Sequence, residues 1–291
     1  LASGCPVVCV AHYAHPGVSE LAGRAIRRAV ASSGLPEGVF SMLQGTGQEV
    51  GVPLVDPPAI KAVGFTGSKF GGLALARRAA DRPEPIPVFA EMSSINPIVV
   101  LKGALSQRSD ALAQGLAGSV SMGIGQFCTN PGVVLVPEGD EGEAFSASFA
   151  AQMDASKGGT ALHAGIARAY DEATRGRTAR ADVDTIASTD NELITSRINP
   201  WVFRTTAAAL LSDQDLASEA FGPSTTLVTY RDDQELYRVL YSLEGQLTTT
   251  IQCADSDLPL NSALVHALQQ RSGRLIINGF PTGVEVCQAM V

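Results

Sequence analysis

Two stretches of this chain hold side chains able to do covalent chemistry. Glu91 stands in Phe89-Ala90-Glu91-Met92-Ser93-Ser94-Ile95-Asn96-Pro97, and Cys128 in Gly125-Gln126-Phe127-Cys128-Thr129-Asn130-Pro131. Each sits where an apolar strand pattern changes to a turn. A soft nucleophile and a carboxylate base able to activate water are what thiol-based acyl transfer requires. Taken singly, each has a plain explanation, since free cysteine often only fills space and a strand-end Glu is often a solvated charge or a helix cap. A thiol with an ordinary pKa of about 8.5 also needs a site that lowers it or a base that takes its proton.

The elements that must position them come next. A chain of 291 residues is long for one domain and natural for two. With 45% hydrophobic and 17% charged residues it has ample material for an α/β core. A net charge of −8 and a pI near 5.0 argue against nucleic acid as a partner, and an anionic substrate would need a local basic pocket. Cys5, Cys9, Cys128, Cys253 and Cys287 are scattered, with no Cys-x-x-Cys pair and no His at zinc spacing, so no metal is expected and a reduced, cytoplasmic setting fits. No apolar run approaches the roughly 18 residues of a membrane span, and no export signal opens the chain.

Strand and helix patterns alternate along the first third. Residues 7–11, 39–43, 62–65 and 86–90 read as strands; 19–33, 48–54 and 70–80 read as helices, the first capped by Ser19 and ended by Gly34. That alternation predicts βαβ units and a parallel sheet. Beyond Glu91, strands are expected at 98–101, 132–136 and 273–278, and helices at 106–122, 141–155 and 159–175, with a polar stretch to Pro200. Two glycine clusters compete for a phosphate. Gly45-Thr46-Gly47-Gln48-Glu49-Val50-Gly51 has one residue too many for a dinucleotide fingerprint and reads as a turn. Gly64-Phe65-Thr66-Gly67-Ser68-Lys69-Phe70-Gly71-Gly72 follows a strand and opens a helix, where backbone N–H groups and the helix dipole can hold a pyrophosphate and Ser68 adds a hydroxyl.

The Glu91 and Cys128 phrases together resemble the glutamate and cysteine signatures of the aldehyde dehydrogenase superfamily, in the branch of α-ketoglutaric semialdehyde and NADP-dependent fatty aldehyde dehydrogenases. The resemblance spans nearly the whole chain. It implies an aldehyde-dehydrogenase-like α/β fold, with residues 1–92 part of a Rossmann-like cofactor domain and 93–291 a catalytic thiol domain. It implies Cys128 as nucleophile and Glu91 as the base for the hydrolytic water. Gly67, Ser68 and Gly72 match the family's Phe-Thr-Gly-Ser loop. Glu219 and Phe221, in Glu219-Ala220-Phe221-Gly222-Pro223, match the turn that holds the nicotinamide ribose and packs near its ring. Val10, in Cys9-Val10-Ala11-His12-Tyr13, stands where the family usually has a ribose-binding Lys, and Tyr13 stands where many relatives have an acid, so the cofactor is NADP or NAD. Gly279-Phe280-Pro281-Thr282-Gly283 resembles a substrate-side loop.

The implied reaction is oxidation of a small-molecule aldehyde to a carboxylate, with α-ketoglutaric semialdehyde favoured over a long-chain aldehyde. A CoA-acylating relative and a non-catalytic nucleotide-binding subunit are the alternatives. The chain opens without Met and reads as a fragment of a homo-oligomeric enzyme. The second oxyanion donor and the C-terminal tail of the family are expected outside it.

Overall fold

The computed structural model describes residues 4–188 and 196–283; Cys287 and part of the polar stretch before Pro200 lie outside them. The chain divides into two compact units, Leu1–Ser93 and Ser94–Val291.

The first unit contains β1 (Val7–Val10), α1 (Pro16–Ser32), β2 (Phe40–Leu43), β3 (Val63–Thr66), α2 (Lys69–Ala80) and β4 (Val88–Glu91). β1 pairs with β2 and β3 with β4, both parallel, as two separate two-stranded sheets. The expected βαβ alternation is therefore present as two strand–helix–strand pairs. α1 begins at Pro16 rather than Ser19. Proline is suited to the first helical position because the N–H it lacks has no intrahelical partner there, and the Ser19 hydroxyl instead donates to His15 O at 3.2 Å. Gly34 ends the helix as expected, with φ +67°. The short helix expected at 48–54 is a π-helical turn over Gly47–Gly51, capped reciprocally by Thr46 and Glu49, followed by a 3₁₀ turn over Pro53–Val55.

The second unit contains β5 (Ile98–Val100), α3 (Lys102–Ser121), β6 (Val133–Pro137), α4 (Asp140–Asp154), β7 (Gly159–Thr160), α5 (Ala164–Thr178), β8 (Asp184–Ser188), β9 (Arg197–Ile198), β10 (Trp201–Thr206), α6 (Ala207–Ser212), β11 (Ser224–Tyr230), α7 (Asp233–Ser242), β12 (Gln246–Gln252), α8 (Leu258–Gln269) and β13 (Ser272–Ile277). Seven strands form one sheet in the order β13-β12-β5-β6-β11-β10-β8, parallel except for the β8 edge. Both faces are covered. Val133 and Leu135 of β6 pack with Leu210, Leu236, Leu240 and Leu264 from α6, α7 and α8. Val134 and Val136 face Leu112, Leu116, Phe145 and Phe149 from α3 and α4. A period of two along one strand thus feeds two cores, and a strand buried on both faces reads as a continuous apolar run.

Two helix starts and one helix interior differ from the sequence expectation. α3 starts at Lys102 rather than Ser106 and is broken at Arg108, whose φ of −151° interrupts the helical pattern. The Arg108 guanidinium reaches Gln252 Oε1, Cys253 O and Asn278 Oδ1, which ties this break to the ends of β12 and β13. α5 starts at Ala164, because Gly159–Thr160 pairs antiparallel with β9 and His163 Nδ1 accepts from Gly165 N and Ile166 N as the helix cap. Among the described residues no helix is long and apolar enough to cross a membrane.

Candidate active site

β12, β5, β6 and β11 are parallel neighbours, so their amino ends line one edge of the sheet. Four segments lead into them: Ser94–Pro97 enters β5, Gly125–Gly132, with Cys128, enters β6, Glu219–Pro223 enters β11, and Gln246 opens β12. Ligands of doubly wound sheets usually gather at the carboxyl ends of the strands. Here the thiol lies at the opposite edge.

Cys128 is exposed and is not joined in a disulfide. It follows a left-handed run at Gly123, Ile124 and Gly125 that ends α3, rather than a strand. Phe127 O accepts from Asn130 N at 3.0 Å, making Cys128 and Thr129 the middle of a tight turn. The turn is held from beneath by Asn96, which is fully buried. Asn96 Nδ2 donates to Cys128 O at 2.9 Å and to Asn130 O at 3.0 Å. Its Oδ1 accepts from Ser94 Oγ at 3.0 Å, Thr248 Oγ1 at 3.0 Å and Thr248 N at 3.3 Å. Asn96 adopts φ +45°, the left-handed region that Asn tolerates better than most residues with a Cβ. Such backbone costs about 1–3 kcal/mol and persists only where the surroundings enforce it. Gln246 Oε1 supplies that enforcement, accepting from Ile95 N at 2.8 Å and Asn96 N at 3.3 Å, and it shares with Asn96 Oδ1 the single hydroxyl proton of Ser94, whose Oγ lies 2.9 Å away. Gly132 N donates to Ile95 O at 2.8 Å and closes the far side of the turn.

The Glu219–Pro223 segment packs directly on the cysteine loop. Asn130 Nδ2 donates to Gly222 O at 3.2 Å, and Gly125 approaches so closely that a Cβ there would lie 2.3 Å from Gly222 C and O. Glycine is required at both points: a Cβ on Gly222 would lie 2.4 Å from the Tyr170 ring. Tyr170 is buried, its phenol pushed well above the usual range by desolvation, and its OH donates to Asn199 O at 2.9 Å. Arg177, buried and lowered by desolvation, donates to Ser218 O and stacks over Phe203 at 5.8 Å. Glu219 is half-buried, with Oε1 3.5 Å from Ser94 N, and Phe221 is half-buried. Gln126 Oε1 accepts from Leu162 N at 2.9 Å. Gln126 Nε2, Thr129 Oγ1 and Asn130 Oδ1 are buried around the turn without a protein partner, a pattern that favours functional surroundings over a plain core.

The remaining predicted residues lie in the first unit. Glu91 is the exposed last residue of β4, in register with Thr66, and its carbonyl accepts from Gly67 N at 3.0 Å. Ser68 caps α2, its hydroxyl accepting from Gly71 N at 3.2 Å. Lys69 N donates to Ser93 Oγ at 3.4 Å and Gly72 N to Ser68 O at 3.0 Å. The glycines have packing reasons of their own: a Cβ on Gly67 would lie 2.7 Å from Phe65 and one on Gly72 2.6 Å from Met92. Val10 is the exposed end of β1, in the other two-stranded sheet, close in sequence to the stacked rings of His12 and Tyr13.

The structure therefore brings Cys128, Glu219 and Phe221 to one sheet edge, and Glu91 beside the Gly67–Ser68 loop. Sequence reasoning assigned no role to Asn96, Asn130, Gln246, Tyr170 or Arg177. The Asn-Pro pair shared by both phrases was a signal for the first two. Nothing local marked Gln246, whose partners lie about 150 residues away.

Comparison with known proteins places the chain in a family. The model of the "Aldehyde dehydrogenase family" matches residues 1–289. The chain is 48% identical over its whole length to "Alpha-ketoglutaric semialdehyde dehydrogenase 2" of Azospirillum brasilense and 40% identical to "Alpha-ketoglutaric semialdehyde dehydrogenase" of Acinetobacter baylyi, covering 55% of each. It thus spans about half the length of the curated relatives it matches. Among solved structures, glyceraldehyde-3-phosphate dehydrogenase GapN from Methanocaldococcus jannaschii, complexed with NADP, superimposes with TM-score 0.81 over 98% of this chain and 60% of that one at 19% identity. Gamma-glutamyl-gamma-aminobutyraldehyde dehydrogenase from Burkholderia cenocepacia gives 0.78 over 98% and 56% at 23% identity. With an exposed cysteine turn braced at the amino ends of a parallel sheet and a family match along nearly its whole length, the chain belongs to the aldehyde dehydrogenase family.

Proposed function

We propose that this chain carries the reacting groups of an NAD(P)-dependent dehydrogenase that oxidises α-ketoglutaric semialdehyde to 2-oxoglutarate. The observation that carries the reading is the exposed Cys128 turn, held by buried amides, in a chain 48% identical to an α-ketoglutaric semialdehyde dehydrogenase. The Cys128 thiolate adds to the aldehyde carbon, forming a C–S bond and moving the carbonyl π pair onto oxygen. The Cys128 backbone N–H supplies a donor for that oxyanion. A nicotinamide held beside Glu219 and Phe221 would supply the hydride acceptor; departure of the aldehyde hydrogen with its electron pair leaves Cys128 bonded as a thioester. Glu91 then takes a proton from water, the resulting hydroxide adds to the thioester carbonyl, and the C–S bond breaks to return the thiolate and release the carboxylate.

The residues present fit a dinucleotide. α2 begins at the carboxyl end of the parallel strand β3, Ser68, Lys69 and Phe70 at its start are exposed, and no acidic side chain stands in residues 64–72. Several amides of this loop already serve β4 and the helix cap, so anion contacts fall on the helix dipole and the Ser68 hydroxyl proton as much as on Gly67 or Gly72. Glu219 and Phe221 take the ribose and ring roles, and Val10 offers neither charge nor donor, leaving both NADP and NAD open. Residues 1–92 then serve as part of the cofactor domain and 93–291 as the thiol domain of a cytoplasmic homo-oligomer.

The test is incubation of the chain with the semialdehyde and NADP or NAD, with and without CoA. NAD(P)H release and an acyl mass on Cys128 are the readouts. A stronger signal with a long-chain aldehyde, or product only with CoA, would overturn the substrate or the hydrolytic step. Nucleotide binding without any acyl mass on Cys128 would indicate a non-catalytic role.

A further inference from the structure

We propose that Asn96 is the positioning residue of the Cys128 thiol, with Gln246 as its anchor; the proposal rests on Cys128 being the nucleophile. An exposed cysteine in the middle of a turn has little packing of its own to fix where its side chain points. Here both carbonyls on the C-terminal side of the thiol, those of Cys128 and Asn130, are gathered by one buried amide nitrogen at 2.9 and 3.0 Å. The direction of the Cys128 carbonyl fixes the plane of the Cys128–Thr129 peptide, and with it the backbone that carries Sγ.

The chemistry of the position selects Asn. The turn presents two carbonyl acceptors to Asn96, so the position needs a nitrogen bearing two hydrogens. Ser94 Oγ, Thr248 N and Thr248 Oγ1 offer donors, so the other end must be an oxygen with two lone pairs. An aspartate has the shape without the hydrogens and would place a charge against two carbonyl oxygens. A glutamine has the groups on a stem one carbon too long for a space with no exposure. The same partners fix which end of the amide is nitrogen. Gln246, the first residue of β12, then holds the Asn96 backbone through Asn96 N and Ile95 N. The path runs from a central strand of the sheet to the nucleophile through two side-chain amides, neither of which needs to touch substrate.

The consequence concerns reactivity. Tied to Asn96, the two carbonyl dipoles keep their negative ends fixed toward it; released, they are able to turn toward a developing thiolate and disfavour it. The test follows alkylation of Cys128 by iodoacetamide from pH 6 to 10, quantified by peptide mass spectrometry on the parent chain, Asn96→Ser and Gln246→Ala. Alkylation of the buried Cys253 serves as the internal report on unfolding. The expected result is a rise in the midpoint of the Cys128 profile and about a tenfold slower reaction at pH 7 for Asn96→Ser, the effect of roughly one unit in a thiol pKa. Gln246→Ala should move the same way by a smaller factor. A variant with lowered thermal stability but an unchanged Cys128 profile would overturn the proposal and make Asn96 only a structural residue. If Asn96→Ser does not fold, an unchanged profile in Gln246→Ala overturns it equally. Failure of the underlying reading looks different: the semialdehyde would then leave no acyl mass on Cys128 of the parent chain, whatever the variants do.

Discussion

Replacing Gly125 with Ala attacks the joint between the cysteine loop and the Glu219–Pro223 segment. Gly125 has φ +67°, and an added methyl would lie 2.3 Å from Gly222 C and O and 2.4 Å from Pro223 N. All three are backbone atoms, so no side chain can swing aside. Left-handed backbone costs a residue with a Cβ about 1–2 kcal/mol. Overpacking a tight contact adds about 1–3 kcal/mol. The expected loss is therefore about 2–5 kcal/mol, a large share of the roughly 5–15 kcal/mol that holds a domain together. The single tryptophan, Trp201, lies beside this joint and reports on it, since its backbone N–H donates to Pro223 O at 3.1 Å. With a urea slope of about 1–3 kcal/mol per molar, the fluorescence midpoint should fall by about 1–2 M. Gly118→Ala is the control: it is an exposed helical glycine with nothing within 4 Å of the added methyl, and should gain about 0.5–1 kcal/mol. Equal midpoints for the parent and Gly125→Ala, or an equal fall in Gly118→Ala, would refute the close-approach argument.

Four further outcomes are expected. Cys128→Ala should abolish covalent labelling by an activated ester in peptide maps, and a parent chain in which Cys253 labels as fast as Cys128 would remove the assignment. Glu91→Gln should spare thioester formation more than its hydrolysis, so that stopped-flow traces show a hydride burst followed by slow turnover; equal loss of both phases counts against the deacylation role. Val10→Lys should tighten NADP more than NAD in titrations, by the roughly 1.5–3 kcal/mol of a charge-assisted bond to the 2′-phosphate, and equal effects would place position 10 away from the ribose. Glu235→Gln should cost about 1–3 kcal/mol at neutral pH, because the Arg231 guanidinium holds the Glu235 carboxyl below its usual range against the opposing effect of burial. A depressed folded pKa stabilises above the unfolded value of about 4.3 and is lost as pH falls through the folded one. The gap to the parent should close below pH about 4, and a gap that persists in acid would mean that packing, not charge, is lost.

The first third of the fold was legible because its strands and helices alternate in short, well-punctuated segments. Gly34 and the Gly67–Ser68 junction mark real helix ends. The second unit was read only where apolar runs are dense, as in Val133–Val136. β10, β11 and β12 went unassigned although they lie inside the sheet. Thr205, Thr225, Thr226 and Thr248 to Thr250 are buried there, and threonine suits a pleated strand while diluting the hydrophobic signal. The hydroxyls of Thr205, Thr248 and Thr249 reach partners on other segments, as with Thr249 and Ser272 at 2.9 Å, and no local window reveals such pairs. α3 lost its first turn in the reading for a related reason: the Arg108 break exists to reach Gln252 and Asn278, far along the chain.

For the site, residue type pointed to the thiol, while position in the fold decides what steadies it. Cys128 and Glu219 were singled out from their short phrases, yet nothing in those phrases shows that they approach the same sheet edge. That follows from the order β12-β5-β6-β11, which places four lead-in segments side by side although they span Ser94 to Gln246 in sequence. An exposed cysteine on a turn has no core of its own. Its rigidity is borrowed from the buried amide of Asn96 and the half-buried amide of Gln246, each with several partners, because a half-satisfied polar group at zero exposure would cost more than an apolar one. This is why Asn96 keeps a left-handed backbone beside a proline, and why Gly125 and Gly222 lack side chains: the backbone of one loop is the wall of the next. A change at Gln246 should therefore reach Cys128 through Asn96, and the effect should be nearly the same in the double variant Asn96→Ser/Gln246→Ala as in Asn96→Ser alone. Additive effects on Cys128 alkylation, as expected for independent sites, would show that the two amides act separately.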